Sequence, residues 1–445
     1  MGGKNGKSGK RGDNMRLNLV QVRNIIIAIA LLVLAGEIGY WLGSNRVDVK
    51  NKNLSLKNLQ NVEIPLDKKN VDFSLFWEVW NRLEESYLEE EDIDYEKMVY
   101  GAISGMTAAL GDPYTVFLPP SDNKSSKEDL NGSFEGVGIQ LGYKDGDNLV
   151  VVAPLKDLPA DKAGVRSGDL ILHIKDEQKD VDTDTMGMSL PEAVEIIRGL
   201  KGNIVTLTLL HEGEVEPYSV DLVRDTITVS SVEVEFGHLN DEGKWEKAEE
   251  GNIVAWLRLY RFGELTDDQW DEAVGEVLSK CGPQGSFGCK GIVLDVRNNP
   301  GGFLDAAINL AGEFLGNNLL VVRQENSDSS NQDYKVKRIG RLTKVPLVVL
   351  VNRGSASASE ILAGALRDHG RAKIIGEKSF GKGTIQEAID LREGSGLHVT
   401  VAKWLLPNGD WIHKNGIVPD IQVGYDESEE ARDLQLERAA EELNK

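Results

Sequence analysis

A run of small residues, Gly354-Ser355-Ala356-Ser357-Ala358-Ser359-Glu360, follows the apolar stretch 346–351 and leads into a segment of helical spacing, 359–368. The pattern places the serines on a strand-to-helix turn. Small side chains there let a substrate backbone come close, and the first free N–H groups of a helix can steady a developing oxyanion. That setting suits a serine nucleophile. Ser357-Ala-Ser-Glu360 also fits a capping box, in which a serine only closes the helix start. A second stretch bears on the choice: Ser379-Phe380-Gly381-Lys382-Gly383 follows the strand-like residues 372–376 and sets Lys382 between two glycines. A lysine so placed can lose its water shell, which lowers its pKa until the neutral amine can accept a serine's proton. Serine with a neutral lysine is a variant of the triad logic.

Both stretches resemble those of the carboxyl-terminal processing peptidases, also called tail-specific proteases. In that family the nucleophile is the middle serine of the Gly-Ser-Ala-Ser-Ala-Ser-Glu run and the base is the lysine of Phe-Gly-Lys-Gly, which implies Ser357 and Lys382. A glutamine one helical turn beyond the lysine orients it, and Gln386 holds that place. Asn298-Asn-Pro-Gly-Gly302 resembles the family's second catalytic loop, where a glycine N–H joins the N–H after the nucleophile, here Ala358, to hold the oxyanion. Gly301 and Gly302 both stay open for that part. Residues 134–139, with Phe134, Gly136, Val137, Gly138 and Ile139, look like the carboxylate-binding loop of a PDZ domain, whose free N–H groups receive a peptide's terminal carboxylate while the peptide adds to a strand edge. Downstream, residues 159–171 resemble the PDZ core turn and 190–199 the groove-lining helix. The resemblance runs from about residue 73 to 423. It implies a serine endopeptidase that acts on proteins or peptides with free C-termini through an acyl-enzyme, without cofactor or metal.

Charge and hydropathy set the wider frame. Lys and Arg number 50 against 72 Asp and Glu, a formal charge of −22, which argues against a nucleic-acid partner. The basic part is local: Lys4, Lys7, Lys10, Arg11, Arg16 and Arg23 precede the apolar run 25–43, which is interrupted by Glu37. Basic residues before such a run orient the N-terminus to the cytoplasm and the bulk of the chain outside. The run reads as a membrane anchor or as a cleaved signal segment; the enzyme would then be a single-pass membrane protein with an extracytoplasmic catalytic part, or secreted or periplasmic. Cys281 and Cys289 form either a small disulfide loop or two free thiols.

The expected architecture is α/β and multi-domain, a layered α/β protease core preceded by a β-rich PDZ-like domain. Its parts are a cytoplasmic basic tail 1–24, the anchor or signal segment 25–43, a linker 44–70, an N-terminal helical region 71–127, a PDZ domain 128–225, the protease core 226–425 and an acidic helical tail 426–445. Two helices are expected over 71–88 and 95–110. The Gly111-Asp-Pro-Tyr-Thr115 stretch resembles the family's helical arm, for which packing or homodimer formation is expected and no chemistry. The polar stretch 324–332 reads as a surface loop. Two rivals fit less well. Gly376-Glu-Lys-Ser-Phe-Gly-Lys382 has P-loop spacing but no Ser or Thr directly after the lysine, and an anchored PDZ adaptor without catalysis leaves the paired Ser357 and Lys382 motifs unexplained.

Overall fold

The computed structural model describes residues 71–144, 148–281, 288–424 and 432–445. Among them no helix is long and apolar enough to cross a membrane, and the apolar run 25–43 lies outside them. The described residues fall into two compact units, divided between Ile93 and Asp94. In the first, helix α1 (Ser74–Ser86) begins where Asp72 accepts the Ser74 N–H at 2.8 Å. Phe76 packs edge-on to Trp77 at 5.0 Å and stands 6.0 Å from Trp80. The expected amphipathic helix is thus present, and within this unit its apolar stripe stays exposed.

The second unit opens with α2 (Tyr95–Ala108), whose N-cap Asp94 accepts the Glu96 and Lys97 N–H groups at 3.0 Å. A turn through Gly111 leads to β1 (Val116–Leu118), then α3 (Pro120–Asn131), closed by Gly132 in the left-handed region. Strand β2 (Ser133–Gly136) follows. Next comes a mostly antiparallel body: β3 (Ile139–Lys144), β4 (Asn148–Pro154), the single turn α4 (Pro159–Lys162), β5 (Leu170–Asp176), β6 (Val181–Asp184), α5 (Leu190–Ile197), β7 (Ile204–Leu210) and β8 (Tyr218–Val223). Its strands pair in the order β3-β4-β5-β7-β8, with β6 on β5. Alternate residues of β7 are buried, the period-2 signature of a sheet with one covered face. Strand β9 (Asp225–Thr228) pairs with β2, so the chain enters and leaves this body through one two-stranded clasp.

The remainder is a layered α/β core. Strands β10 (Val232–Leu239), β11 (Trp245–Lys247) and β12 (Val254–Leu259) lead into α6 (Thr266–Cys281), β13 (Gly291–Asp295) and α7 (Leu304–Phe314). The polar stretch 324–332 is not a loop. It belongs to a hairpin of β14 (Leu320–Asn326) and β15 (Asn331–Lys335), because cross-strand pairs such as Arg323–Asp333 and Gln324–Tyr334 let a polar sequence form a sheet edge. Then come β16 (Leu347–Val351), α8 (Ala358–Asp368), β17 (Lys373–Gly376), β18 (Thr384–Asp390), β19 (Gly396–Leu405), β20 (Ile421–Gln422) and α9 (Leu434–Leu443). The larger sheet runs β11-β10-β12-β13-β16-β17-β20, parallel from β12 onward. Every residue of β13 and β16 is buried, as parallel strands covered on both faces require. A smaller sheet joins β1, β19, β14 and β15, with β18 on β19.

Two further features were only partly readable. Helix α9 is more than an acidic tail: Leu436, Ala439 and Ala440 are buried against Val254, Val293, Val348, Leu350 and Ile375 of the central strands. Arg297, just after β13, ties to it through Asp433 (2.7 Å) and Gln435 (3.0 Å). Cys281 and Cys289 form a disulfide at the junction of α6 with the approach to β13.

Candidate active site

Three neighbouring parallel strands, β13, β16 and β17, release their C-terminal ends at one edge of the core, where an open α/β sheet offers a crevice. The loops after them carry Asn298–Gly302, Asn352–Ser357 and Ser379–Gly383. The serines of the central loop are used differently. Ser355 donates to the Val296 carbonyl at 2.7 Å and Ser359 to the Asn299 carbonyl at 2.9 Å, and both are fully buried. These two hydroxyls fasten the β16 loop to the β13 loop. Ser357 between them is only partly buried and has φ 53° and ψ −114°. A helix N-cap normally has an extended backbone. Holding a serine at positive φ costs roughly 1–3 kcal/mol, and such strain gathers at functional positions. Half of the capping box is made, the Ser357 N–H donating to the Glu360 carboxylate at 2.9 Å, while the Ser357 hydroxyl makes no capping hydrogen bond.

Glu360 links the two halves of the site. One carboxylate oxygen accepts the N–H of Ser357 and the N–H of Lys382, each at 2.9 Å, and the other accepts the Ser379 hydroxyl at 2.6 Å and the Gly381 N–H at 2.7 Å. Burial pushes its pKa upward, and these four donors oppose that shift. From the sequence Glu360 was legible only as a cap partner. A single buried carboxylate therefore sets the spacing of the serine and lysine backbones.

Burial holds the Lys382 ammonium below the ordinary lysine range, while the Asp112 and Glu360 carboxylates pull the other way. Its Nζ lies 5.2 Å from the centre of the Tyr114 ring. Among the described residues no hydrogen bond joins the Lys382 and Ser357 side chains. Gln386 departs from expectation: it lies on β18 rather than a helical turn beyond the lysine, and its amide nitrogen donates to the Thr384 and Thr400 hydroxyls, both at 3.0 Å. The resemblance implied one helical turn, but pairing of β18 with β19 extends the chain there. Asp112 and Tyr114, for which no chemistry was expected, do face the lysine, and the Gly111–Thr115 motif was the signal.

The two oxyanion candidates separate by their hydrogen bonds. The Gly301 N–H donates to the Asn299 side-chain oxygen at 2.9 Å. Gly302 N–H and Ala358 N–H have no partner among the described residues. Gly301 has φ 105°, and a Cβ there would stand 2.9 Å from the Ser357 Cβ and 3.0 Å from the Ala358 nitrogen, so only glycine lets this loop lie against the serine.

The distal loop is more enclosed than the sequence suggests. Gly136, Val137 and Gly138 are buried, Gly138 lies under Leu158, and the Arg198 guanidinium covers the Phe134 ring at 4.2 Å while reaching Glu128 at 3.2 Å. Ile139 begins β3, the strand whose edge was expected to receive a peptide. The Val137 and Gly138 N–H groups have no partner among the described residues.

The sequence is similar to those of known enzymes. Residues 253–423 match the model of peptidase family S41, and residues 33–121 match that of the activating protease CtpB N-terminal domain. The carboxy-terminal processing protease CtpA of Bacillus subtilis is 33% identical over 91% of this chain and 77% of its own length. A carboxy-terminal-processing protease of Bartonella bacilliformis is 35% identical over 90% of this chain and 83% of its own. Among solved structures, the photosystem II D1 C-terminal processing protease is 34% identical, with 84% of this chain and 93% of that one covered and a TM-score of 0.46. With relatives this similar over most of their length, the chain is a peptidase and belongs to the carboxy-terminal processing proteases of family S41.

Proposed function

We propose that this peptidase cleaves extracytoplasmic proteins by a Ser357–Lys382 dyad after holding their C-termini on the sheet body of β3–β8. The observation that supports the dyad best is the Glu360 clamp, which sets a strained, partly exposed serine beside a lysine that burial drives toward its neutral form. Ser357 Oγ adds to the scissile carbonyl carbon as its proton passes to the neutral Lys382 amine. The Gly302 and Ala358 N–H groups receive the oxyanion. The C–N bond then breaks as Lys382 returns the proton to the leaving nitrogen, and a water molecule deprotonated by Lys382 hydrolyses the ester. The missing Ser357–Lys382 hydrogen bond is compatible with this sequence, since catalytic contacts often tighten only with substrate bound. Gln386 is assigned a supporting part, holding β18 and β19 in register beside the lysine through Thr384 and Thr400.

The loop 134–139 keeps its role as a carboxylate site in this reading, supported by the unpartnered Val137 and Gly138 N–H groups, with 128–225 acting as a PDZ domain and 226–425 as the protease core. A peptide with an apolar C-terminus should be cleaved about tenfold or more faster as the free acid than as the amide, because charge-assisted bonds to the carboxylate are lost in the amide. Equal kcat/KM for the two would remove the loop from the mechanism.

The basic flank before residues 25–43 supports an N-terminus in the cytoplasm and residues beyond about 44 outside. A thiol at Gln60→Cys should react with an impermeant maleimide on intact cells, and one at Lys10→Cys only after lysis. The reverse labelling would overturn the topology. A homodimer through the helical arm remains a proposal supported by the exposed apolar stripe of α1.

A further inference from the structure

We propose that the Asp112-Pro113-Tyr114 turn is the positioning element of the general base: the Tyr114 ring roofs the Lys382 side chain, and Asp112 fixes the turn that carries the ring while setting a negative charge near the ammonium. The proposal rests on Lys382 being the base.

The turn is held at both ends. Asp112 accepts the Tyr114 N–H at 3.1 Å and the Thr115 hydroxyl at 2.7 Å, and the Thr115 oxygen in turn accepts the Thr400 N–H at 3.1 Å. Thr400 also takes the Gln386 amide, so the turn, β19 and β18 form one hydrogen-bonded strip. Val116 continues it by pairing with His398. The ring is also held by an aromatic stack that begins beside the lysine itself. Trp411 donates its indole N–H to the Gly383 carbonyl at 2.8 Å, His413 stacks on Trp411 at 5.0 Å and 10°, and Tyr114 stands edge-on to His413 at 6.1 Å. The path from Gly383 thus closes back on Lys382, 5.2 Å from the Tyr114 ring centre.

The charged and titratable groups around Lys382 are Asp112 and Tyr114 from the turn, Glu360 from α8 and His398 from β19, with His413 edge-on to the Tyr114 ring and Lys414 near His413. The ring keeps water from the ammonium, which favours the neutral amine and outweighs the pull of the ring face on the cation, in keeping with the net downward shift of Lys382; the Asp112 charge favours the ammonium. Removing each should therefore move the activity in opposite directions along the pH axis.

The full chain is assayed for kcat and kcat/KM against pH on a peptide with an apolar C-terminus, as wild type, Tyr114→Ala, Tyr114→Phe, Asp112→Asn and Lys382→Ala. Tyr114→Ala is expected to shift the rising limb to higher pH by about one unit, a loss of about tenfold at neutral pH at unchanged KM. Tyr114→Phe, which keeps the ring, should keep the limb. Asp112→Asn should shift it to lower pH, and serves as the second variant if Tyr114→Ala fails to fold. A merely structural turn would lower the plateau and leave both limbs in place, and that result overturns the proposal, as does a Tyr114→Phe limb displaced like that of Tyr114→Ala. Turnover by Lys382→Ala would instead show that the dyad itself is wrong, and the proposal would fall with it. An inactive Lys382→Ala with unmoved limbs would remove the proposal alone.

Discussion

Ser357→Ala is expected to lower kcat by roughly 10⁵-fold or more while leaving peptide binding within about twofold, since removing a nucleophile that acts as part of a unit costs about as much as removing the unit. The backbone argument supports a clean variant. Alanine at φ 53° meets the same restriction as serine, and the Ser357 N–H to Glu360 bond does not involve the side chain. The fold and the clamp should therefore persist. Single-turnover assays and trapping of the acyl-enzyme check this: a variant that still forms a covalent acyl adduct would place the nucleophile elsewhere. Ser355 and Ser359 are poor substitutes, because both hydroxyls are buried and committed to carbonyls of the β13 loop.

Lys382→Arg should also be damaging, with kcat lower by roughly 10²- to 10⁴-fold, the range in which a positioned base contributes. The guanidinium stays protonated at all accessible pH and cannot accept the serine's proton. In the wild type the lysine works only when neutral, so kcat/KM should rise with pH and level off above its pKa. Burial lowers that pKa from the ordinary lysine value, so the limb should lie below the range of an exposed lysine. Lys382→Arg should show no such limb in its residual activity. A variant that kept both the limb and more than a tenth of wild-type turnover would return Ser357 to the role of a helix cap.

The strand-to-helix turn at Ser357 and the glycine-flanked Lys382 were legible because each is a local pattern of unusual residues next to a strongly apolar strand. The alternating strands and helices of the core were legible for the same reason. Long-range pairing was not. Asp112 and Tyr114 reach Lys382 only because β1 pairs with β19, and nothing in a five-residue motif states which distant strand it will meet. Gly301 and Gly302 could not be told apart, since the difference lies in the Asn299 side chain taking one N–H and not the other. Gln386 was placed one helical turn beyond the lysine by the family resemblance, where tertiary pairing extends the chain. The hairpin 320–335 was hidden by its polar composition; α9 was expected as a helix, but its packing on the central strands was hidden by the acidic residues that surround its short apolar stripe.

The bond between Cys281 and Cys289 carries information of a different kind. Thiols in a reducing cytosol are kept free, whereas a disulfide of this type persists in oxidising surroundings. These are the only two cysteines in the chain. Alkylation before and after reduction, read as a mass difference of zero or two adducts, would thus turn one small loop into a chemical record of the compartment in which each molecule folded.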